Sequence, residues 1–274
     1  MADAAKSYGV TEREPDDDVI GSHAERIRLA GYSVLETAFT PEQIADVARR
    51  LDRLYERQLD EYGAERLDAI GDRFSVRCPL VDDETFLSLA TFPPMLALVR
   101  RLVGDYVVLM QQNGVLNPPS QDHTQRAYHR DLPYQHFVSS RPLAVGALFC
   151  VDPFTEETGA TVVIPGSHHV ERFASDAVAS SLEVSVCAPA GSFIVFDAML
   201  FHRAGHNRST RVRRGVNHVF SVPLIAQQIS LPAALGGRYA DRPDMRALLG
   251  YDAEPAASAA AWRDRRLRRK APST

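Results

Sequence analysis

A mainly β fold with flanking helices is predicted, an antiparallel barrel or sandwich that carries its helices on one side. Two observations predict it. Before residue 105, apolar residues recur at helical spacing; beyond it the chain becomes a series of short, β-branched apolar segments separated by Gly, Pro, Asn and Ser. No internal repeat with a period of about 20–50 residues competes with this architecture. Residues 1–274 are expected to form one domain, with its core at about 25–252 and tails at 1–20 and 253–274.

Taken in order, residues 1–20 are polar and acidic and read as a lead-in. GYSVLE at 31–36 reads as a short strand. Thr40 is placed as a helix N-cap, with Pro41 at the first helical position and Gln43 closing a capping box. Ile44, Val47, Ala48, Leu51, Leu54 and Tyr55 follow on one helical face. A second helix begins after Pro93–Pro94, runs through MLALVRRLV and stops at Gly104. DYVVLMQQNGVL, RPLAVGALFCVD, GATVVIP, GSFIVFD and RRGVNHVFSVPL then supply the strands. The C-terminal AEPAASAAAW and RDRRLRRK read as a frayed, solvated helix or tail rather than a basic anchor.

The apolar share, 45% of 274 residues, is enough for a large core. A formal charge of −4 gives no global attraction to nucleic acid or anionic membranes. No apolar run approaches the roughly 18 residues of a membrane span, and the N-terminus lacks the apolar centre of an export signal. Cys78, Cys150 and Cys187 are scattered, which points to reduced thiols in a cytoplasm and against a disulfide framework or zinc ribbon. The expected partner is a small molecule, without nucleic acid or membrane, and the expected state is a monomer or small homo-oligomer.

The histidines and carboxylates carry the most information. YHRDLP sets His129 and Asp131 two residues apart, and on a strand such residues share a face. Seventy-one residues beyond Asp131 (131 to 202), His202 stands at the end of an apolar strand. Two imidazoles and one carboxylate are the ligand set of non-haem Fe(II) oxygenases, which leaves coordination positions open for co-substrate and oxygen. Arg213 follows eleven residues later (202 to 213) in STRVRRGVNHVF. A buried arginine near a metal calls for an anionic partner, and the far carboxylate of 2-oxoglutarate fits a guanidinium fork. Arg213 and Arg214 are neighbours, so only one of them points inward, according to the strand register.

The chain resembles the phytanoyl-CoA dioxygenase family of 2-oxoglutarate oxygenases over roughly residues 30–225. YHRDLPY is similar to the family's first metal motif, TGATVVIPGSHH to its Gly-x-x-x-x-x-Pro-Gly-Ser-His stretch, and GSFIVFDAMLFHRAGHN to the segment leading to its second metal histidine. The resemblance implies a double-stranded β-helix, a jelly-roll or cupin-like barrel, with Fe(II) at His129, Asp131 and His202 in its mouth. It also implies 2-oxoglutarate and O2 as co-substrates, and it favours Arg213 over Arg214 as the 2-oxoglutarate arginine. A further family contact to 2-oxoglutarate falls at about Asn113, with Gln111 on the same face. The chain departs from the pattern at Ala204, where the family often has Ser or Thr, and at Leu148, where it often has Trp.

Among the other polar residues, Tyr134, Gln135 and Asn217 are placed as substrate contacts, and with His136 they predict a hydrogen-bonding rim and a polar substrate. His168 and His169 follow Pro-Gly-Ser and read as exposed turn residues. Asp197 reads as structural. His206 is either a hydrogen-bonding neighbour of the metal ligands or a surface residue. His123 and His218 have no ligand spacing. The expected reaction is hydroxylation of a small polar metabolite or natural-product intermediate; desaturation, cyclisation and epimerisation are the alternatives from the same chemistry. A non-catalytic small-molecule or metal-binding barrel is the alternative from another class, and it would have no use for Arg213.

Overall fold

A computed structural model describes residues 18–132 and 137–270, with side chains through 267. Tyr134, Gln135 and His136 therefore lie outside the described residues.

The helical front is as dense as its spacing predicts. Helix α1 (Val19–Ala30) starts at Asp18, whose carboxylate accepts from the Gly21 N–H, and ends at Gly31 with φ 91°. It thus begins inside the stretch expected to be a polar lead-in, because Ala24 and Ile27 give it a wholly buried stripe. After β1 (Tyr32–Leu35), helix α2 (Pro41–Tyr62) opens with the complete capping box. Thr40 N–H donates to Gln43 Oε1 at 2.9 Å, and Gln43 N–H donates to Thr40 Oγ1 at 3.3 Å. Such a cap stabilises a helix by about 1 kcal/mol. Short α3 (Ala64–Ala69), β2 (Ser75–Arg77) and α4 (Glu84–Ala90) lead to α5 (Pro93–Val103), which stops at Gly104.

The strands that follow are β3 (Val108–Asn117), β4 (Ala144–Cys150), β5 (Thr161–Val163), β6 (Val184–Val186), β7 (Phe193–Asp197), β8 (His202–Ala204) and β9 (Arg213–Ser221), with α6 (Asp176–Leu182) ahead of β6. Three small helices close the chain: α7 (Leu231–Ala234), α8 (Pro243–Leu248) and α9 (Ala259–Lys270). The strands form two antiparallel sheets, a six-stranded one in the order β1-β7-β4-β9-β3-β2 and a three-stranded one in the order β6-β5-β8. Together they make the two walls of a double-stranded β-helix whose sheets are not closed on each other.

Alternation sorts the large sheet. Val145, Ala147, Phe149, Phe193, Val195, Val216 and Phe220 face the helices and pack with Ile27, Leu51, Phe86 and Met95 into the main core. Leu148, Cys150, Ile194 and Phe196 face the other way and pack against Val163 and Val186 of the small sheet. Strand β3 carries a bulge between Leu109 and Gln111. Among the described residues no single helix is long and apolar enough to cross a membrane. The bent α4–α5 pair reaches that composition only as a core element, with Phe86, Leu89, Met95 and Leu98 buried.

Candidate metal centre

His129 and Asp131 do not lie on a regular strand, as the i, i+2 argument assumed. They sit in an isolated bridge and the bend after it, held by main-chain bonds. His129 N–H donates to His202 O at 3.0 Å, His202 N–H donates to His129 O at 3.1 Å, and Asp131 N–H donates to Ala198 O at 3.0 Å. His202 likewise opens β8 rather than ending the apolar strand. β7 stops at Asp197, which accepts from the Met199 N–H through Oδ1 at 2.8 Å and from the Leu200 N–H through its carbonyl at 2.8 Å. Asp197 thus shapes the turn that delivers His202, the structural role its sequence position predicted. Burial pushes its carboxyl up to about 6.

The three side chains converge. One ligand atom from each of His129, Asp131 and His202 lies within 4.8 Å of the other two. His202 Nε2 is 3.5 Å from Asp131 Oδ1 and His129 Nε2 is 3.9 Å from it. Each imidazole is oriented by its other nitrogen: His129 Nδ1 lies 2.9 Å from Ala127 O, and His202 Nδ1 lies 2.9 Å from Leu200 O. A nitrogen facing a carbonyl carries a proton, so it is the Nε2 atom of each ring that is turned toward Asp131 and is available to a metal. Burial alone would raise the Asp131 carboxyl, but hydrogen bonding and charge from His202, with His129 and Asn217, hold it below the ordinary carboxylate range. Burial pushes His129 down, and the adjacent His202 adds to that. Burial acts the same way on His202, but its bond to Asp131 outweighs it and raises that imidazole. This donor set, two imidazole Nε2 atoms and a carboxylate, fits a divalent transition metal with open positions, which would displace the proton that His202 shares with Asp131.

Beside the triad, in the same cleft, stands Arg213. It is 4% exposed, its guanidinium lies 4.0 Å over the Phe154 ring, and its Nε has no hydrogen-bond partner. Among the described residues no carboxylate lies within ion-pairing distance of it, and burial lowers its pKa to about 10. Arg214, one residue on, faces the helices and is fully engaged. Its guanidinium forks onto Asp152 at 2.9 and 2.8 Å and reaches Asp52 of α2 at 2.6 Å. The register therefore turns Arg213 inward.

Asn217 shares the inward face of β9 and lines the cleft, but its Nδ2 donates to Asp131 Oδ2 at 3.2 Å. Asn217 Oδ1 has no partner among the described residues, and the other residues expected on the polar rim, Tyr134, Gln135 and His136, lie outside them. Asn113 is paired opposite Asn217 in the β3–β9 register, yet its amide meets Gln228 at 3.2 Å and it does not line the cleft. Gln111 lines a neighbouring cavity instead. Leu148 and Ala204, where the chain departs from the family pattern, both line the cleft.

Two residues that spacing did not single out matter here. His123 lines the cleft, its Nε2 2.9 Å from Asn117 Oδ1. Asn117 Nδ2 already donates to Gly159 O and Gly205 O, so its Oδ1 must accept and His123 Nε2 carries the proton. His123 Nδ1 is left as a buried acceptor without a partner, and burial, with the Arg213 charge next, pushes this histidine down to about 4. Arg130, between the two ligands in sequence, projects to the opposite side. It donates to the carbonyls of Ser167, Val170 and Glu171 and lies 3.9 Å over the Phe201 ring. It braces the ligand segment against the Pro-Gly-Ser-His turn. His168, expected to be exposed there, is 5% exposed, because its Nε2 meets Arg28 O at the end of α1 at 3.1 Å. His169 and His206 are exposed.

Comparison with known proteins places this geometry. The sequence model of the phytanoyl-CoA dioxygenase family matches residues 27–215. The uncharacterized protein Rv1501 of Mycobacterium tuberculosis is 34% identical over 217 residues, 77% of this chain and 79% of that protein. Dioxygenase olcK of Penicillium canescens is 34% identical over 149 residues, 50% of this chain and 47% of its own length. Among solved structures, EctD from S. alaskensis with bound Fe superposes with a TM-score of 0.60 at 21% identity, covering 78% of this chain and 81% of that one, a likeness of fold. The fold and the His-Asp-His site define a non-haem iron, 2-oxoglutarate-dependent oxygenase. Within that class, the chain belongs to the phytanoyl-CoA dioxygenase family.

Proposed function

We propose that His129, Asp131 and His202 hold Fe(II), that Arg213 binds the C5 carboxylate of 2-oxoglutarate, and that the enzyme hydroxylates a small molecule presented beside the triad. The observation that carries this reading is the pairing in one cleft of a convergent N, N, O donor set with a buried arginine that has no carboxylate partner among the described residues. Left alone, such a charge is costly; a dicarboxylic acid reaching it from the metal offsets that cost. When bound, Fe(II) and 2-oxoglutarate supply the oxygen activation and the oxidising power of the reaction.

The chain's own residues do the rest. The carbonyls of Ala127 and Leu200 fix the imidazoles, Asn217 holds the outer oxygen of Asp131, and Phe154 supports the Arg213 guanidinium. Val115, Leu148 and Phe196 make the cleft wall apolar and restrict water. For co-substrate, support lies with Arg213 and the neighbouring His123 rather than with Asn113 and Gln111. Tyr134 and Gln135 remain substrate contacts by sequence position. The free thiols Cys78, Cys150 and Cys187 and the charge of −4 support a cytoplasmic enzyme acting on a small molecule, as a monomer or small homo-oligomer without nucleic acid or membrane.

Anaerobic addition of Fe(II) and 2-oxoglutarate tests the reading. A visible charge-transfer band that needs both additions, together with succinate release in air, is the expected result. Absence of the band at saturating Fe(II) would overturn it.

A further inference from the structure

A second cavity, of about 580 Å³, shares Asp131 with the metal cleft. Its volume is in the usual range for a small-molecule site. The bulge in β3 builds one wall: it turns two successive side chains, Met110 and Gln111, toward the same space, where a regular strand would send one of them to the opposite face. Leu132, the residue after the metal carboxylate, supplies the floor, and Phe137, Leu143 and Ile225 complete an apolar lining. Leu224 stands at the edge, 81% exposed.

The two charged side chains that border this cavity, Arg130 and Asp131, make contacts within the protein. Asp131 belongs to the triad and to Asn217, and the Arg130 guanidinium donates to the backbone of the 167–171 turn. A charged substrate group would have to compete with these contacts for a counter-ion while losing its own hydration. Two side-chain amides, Gln111 and Gln228, stand on the lining. The Gln111 amide lines the cavity and has no hydrogen bond among the described residues. Unlike Gln228, whose Oε1 accepts from Arg77 and Asn113, it offers both a donor and an acceptor.

We infer that this cavity seats the substrate, and that the substrate is a neutral molecule with an extended hydrocarbon body and one hydroxyl or carbonyl group bound by Gln111. The inference rests on the proposed iron site for its chemistry, since Asp131 is what brings the body of the substrate beside the metal. It narrows the polar metabolite expected from the sequence to a molecule whose polarity is confined to one end. It also argues against acyl-coenzyme A thioesters and free amino acids, whose charges this lining does not answer.

The test uses the anaerobic Fe(II)–2-oxoglutarate holoenzyme and six probes. Testosterone, farnesol and flavone are neutral and differ in shape; L-arginine, L-glutamate and acetyl-coenzyme A are charged. Binding is read by equilibrium dialysis and by perturbation of the charge-transfer band. At least one neutral probe should bind at least about tenfold more tightly than every charged one. Ile225→Asp, at the open side, should weaken that probe by about tenfold. Gln111→Leu should leave the hydrocarbon contribution intact and lower affinity for the oxygenated probe, while the corresponding deoxygenated hydrocarbon is unaffected. Preference for a charged probe, no binding of any neutral probe, or indifference to both substitutions would overturn the inference. Dialysis reads the cavity even if the band fails to form, so failure of the iron reading and failure of the cavity reading give different results.

Discussion

Asn217 Nδ2 lies 3.2 Å from Asp131 Oδ2, while Asp131 Oδ1 is the oxygen that faces both imidazoles. The amide therefore decides which carboxylate oxygen is offered to the ion. Asn217→Leu keeps the bulk and removes the donor, leaving Oδ2 buried without its partner. Fe(II) affinity should fall by roughly 10–100-fold, the usual effect of losing a group that orients a metal ligand. Competition against a calibrated chelator measures this directly; unchanged affinity would show that Asn217 does not position the carboxylate.

His129→Ala and Asp131→Ala should each abolish succinate release while the fold survives. The reason lies in the main chain. The bonds that pin this segment run through the backbone N–H and carbonyl groups of His129, Asp131, Ala198 and His202, and alanine preserves all of them. Far-UV circular dichroism should match the parent, and metal content after Fe(II) loading should drop. A variant that retains full turnover would remove its residue from the centre.

The neighbouring arginines should separate cleanly. Arg213→Ala should raise the 2-oxoglutarate requirement steeply, by about 3–5 kcal/mol if the buried ion pair is fully lost, and leave Fe(II) binding nearly intact. Arg214→Ala should leave that requirement alone and lower stability by about 1–3 kcal/mol through the lost bonds to Asp152 and Asp52. Co-substrate titrations and urea unfolding of both variants check the assignment. The opposite pattern would mean that the inward face has been assigned to the wrong arginine.

Stability should fall on acidification through His218. Its ring is wholly buried between the sheet and the helices, with Nδ1 2.9 Å from Ala147 O, and burial pushes its pKa from 6.5 down to about 4. The unfolded chain takes up a proton below about pH 6.5 and the folded chain does not until about pH 4. The stability His218 supports is thus complete above pH 6.5 and is lost as the pH falls toward 4, by about 3 kcal/mol in all. In His218→Asn the amide Nδ2 can replace the Nδ1–H donor without titrating. Urea midpoints at pH 7.5 and 4.5 should lie closer together in that variant; an equal gap would assign the acid sensitivity elsewhere.

The sequence displays some of this and conceals the rest for physical reasons. The α2 cap was legible because Thr40, Pro41 and Gln43 act within one turn. Strands β3, β4, β7 and β9 were legible because they are long enough for apolar runs to stand out. β6 was not: Val184 and Ser185 are exposed, so its alternation has almost no buried side to display. The burial of His168 depends on α1, more than a hundred residues earlier, ending against it (28 to 168). His123 enters the cleft through Asn117, a contact between side chains with no characteristic spacing. Residue types at fixed separation announced the His-Asp-His donors; the groups that hold those donors in place answer to tertiary contacts alone.

The paired main-chain bonds between His129 and His202 have a consequence for metal supply. Main-chain bonds of this kind fix the donors in place but do not by themselves select one divalent ion over another. Imidazole and carboxylate donors generally take cobalt, nickel and copper more tightly than ferrous iron. Correct metallation must therefore come from what the cell offers rather than from the protein's own preference. Enzyme prepared with nickel or cobalt in the medium should come away folded, loaded and idle, and chelation followed by ferrous iron under reducing conditions should revive it.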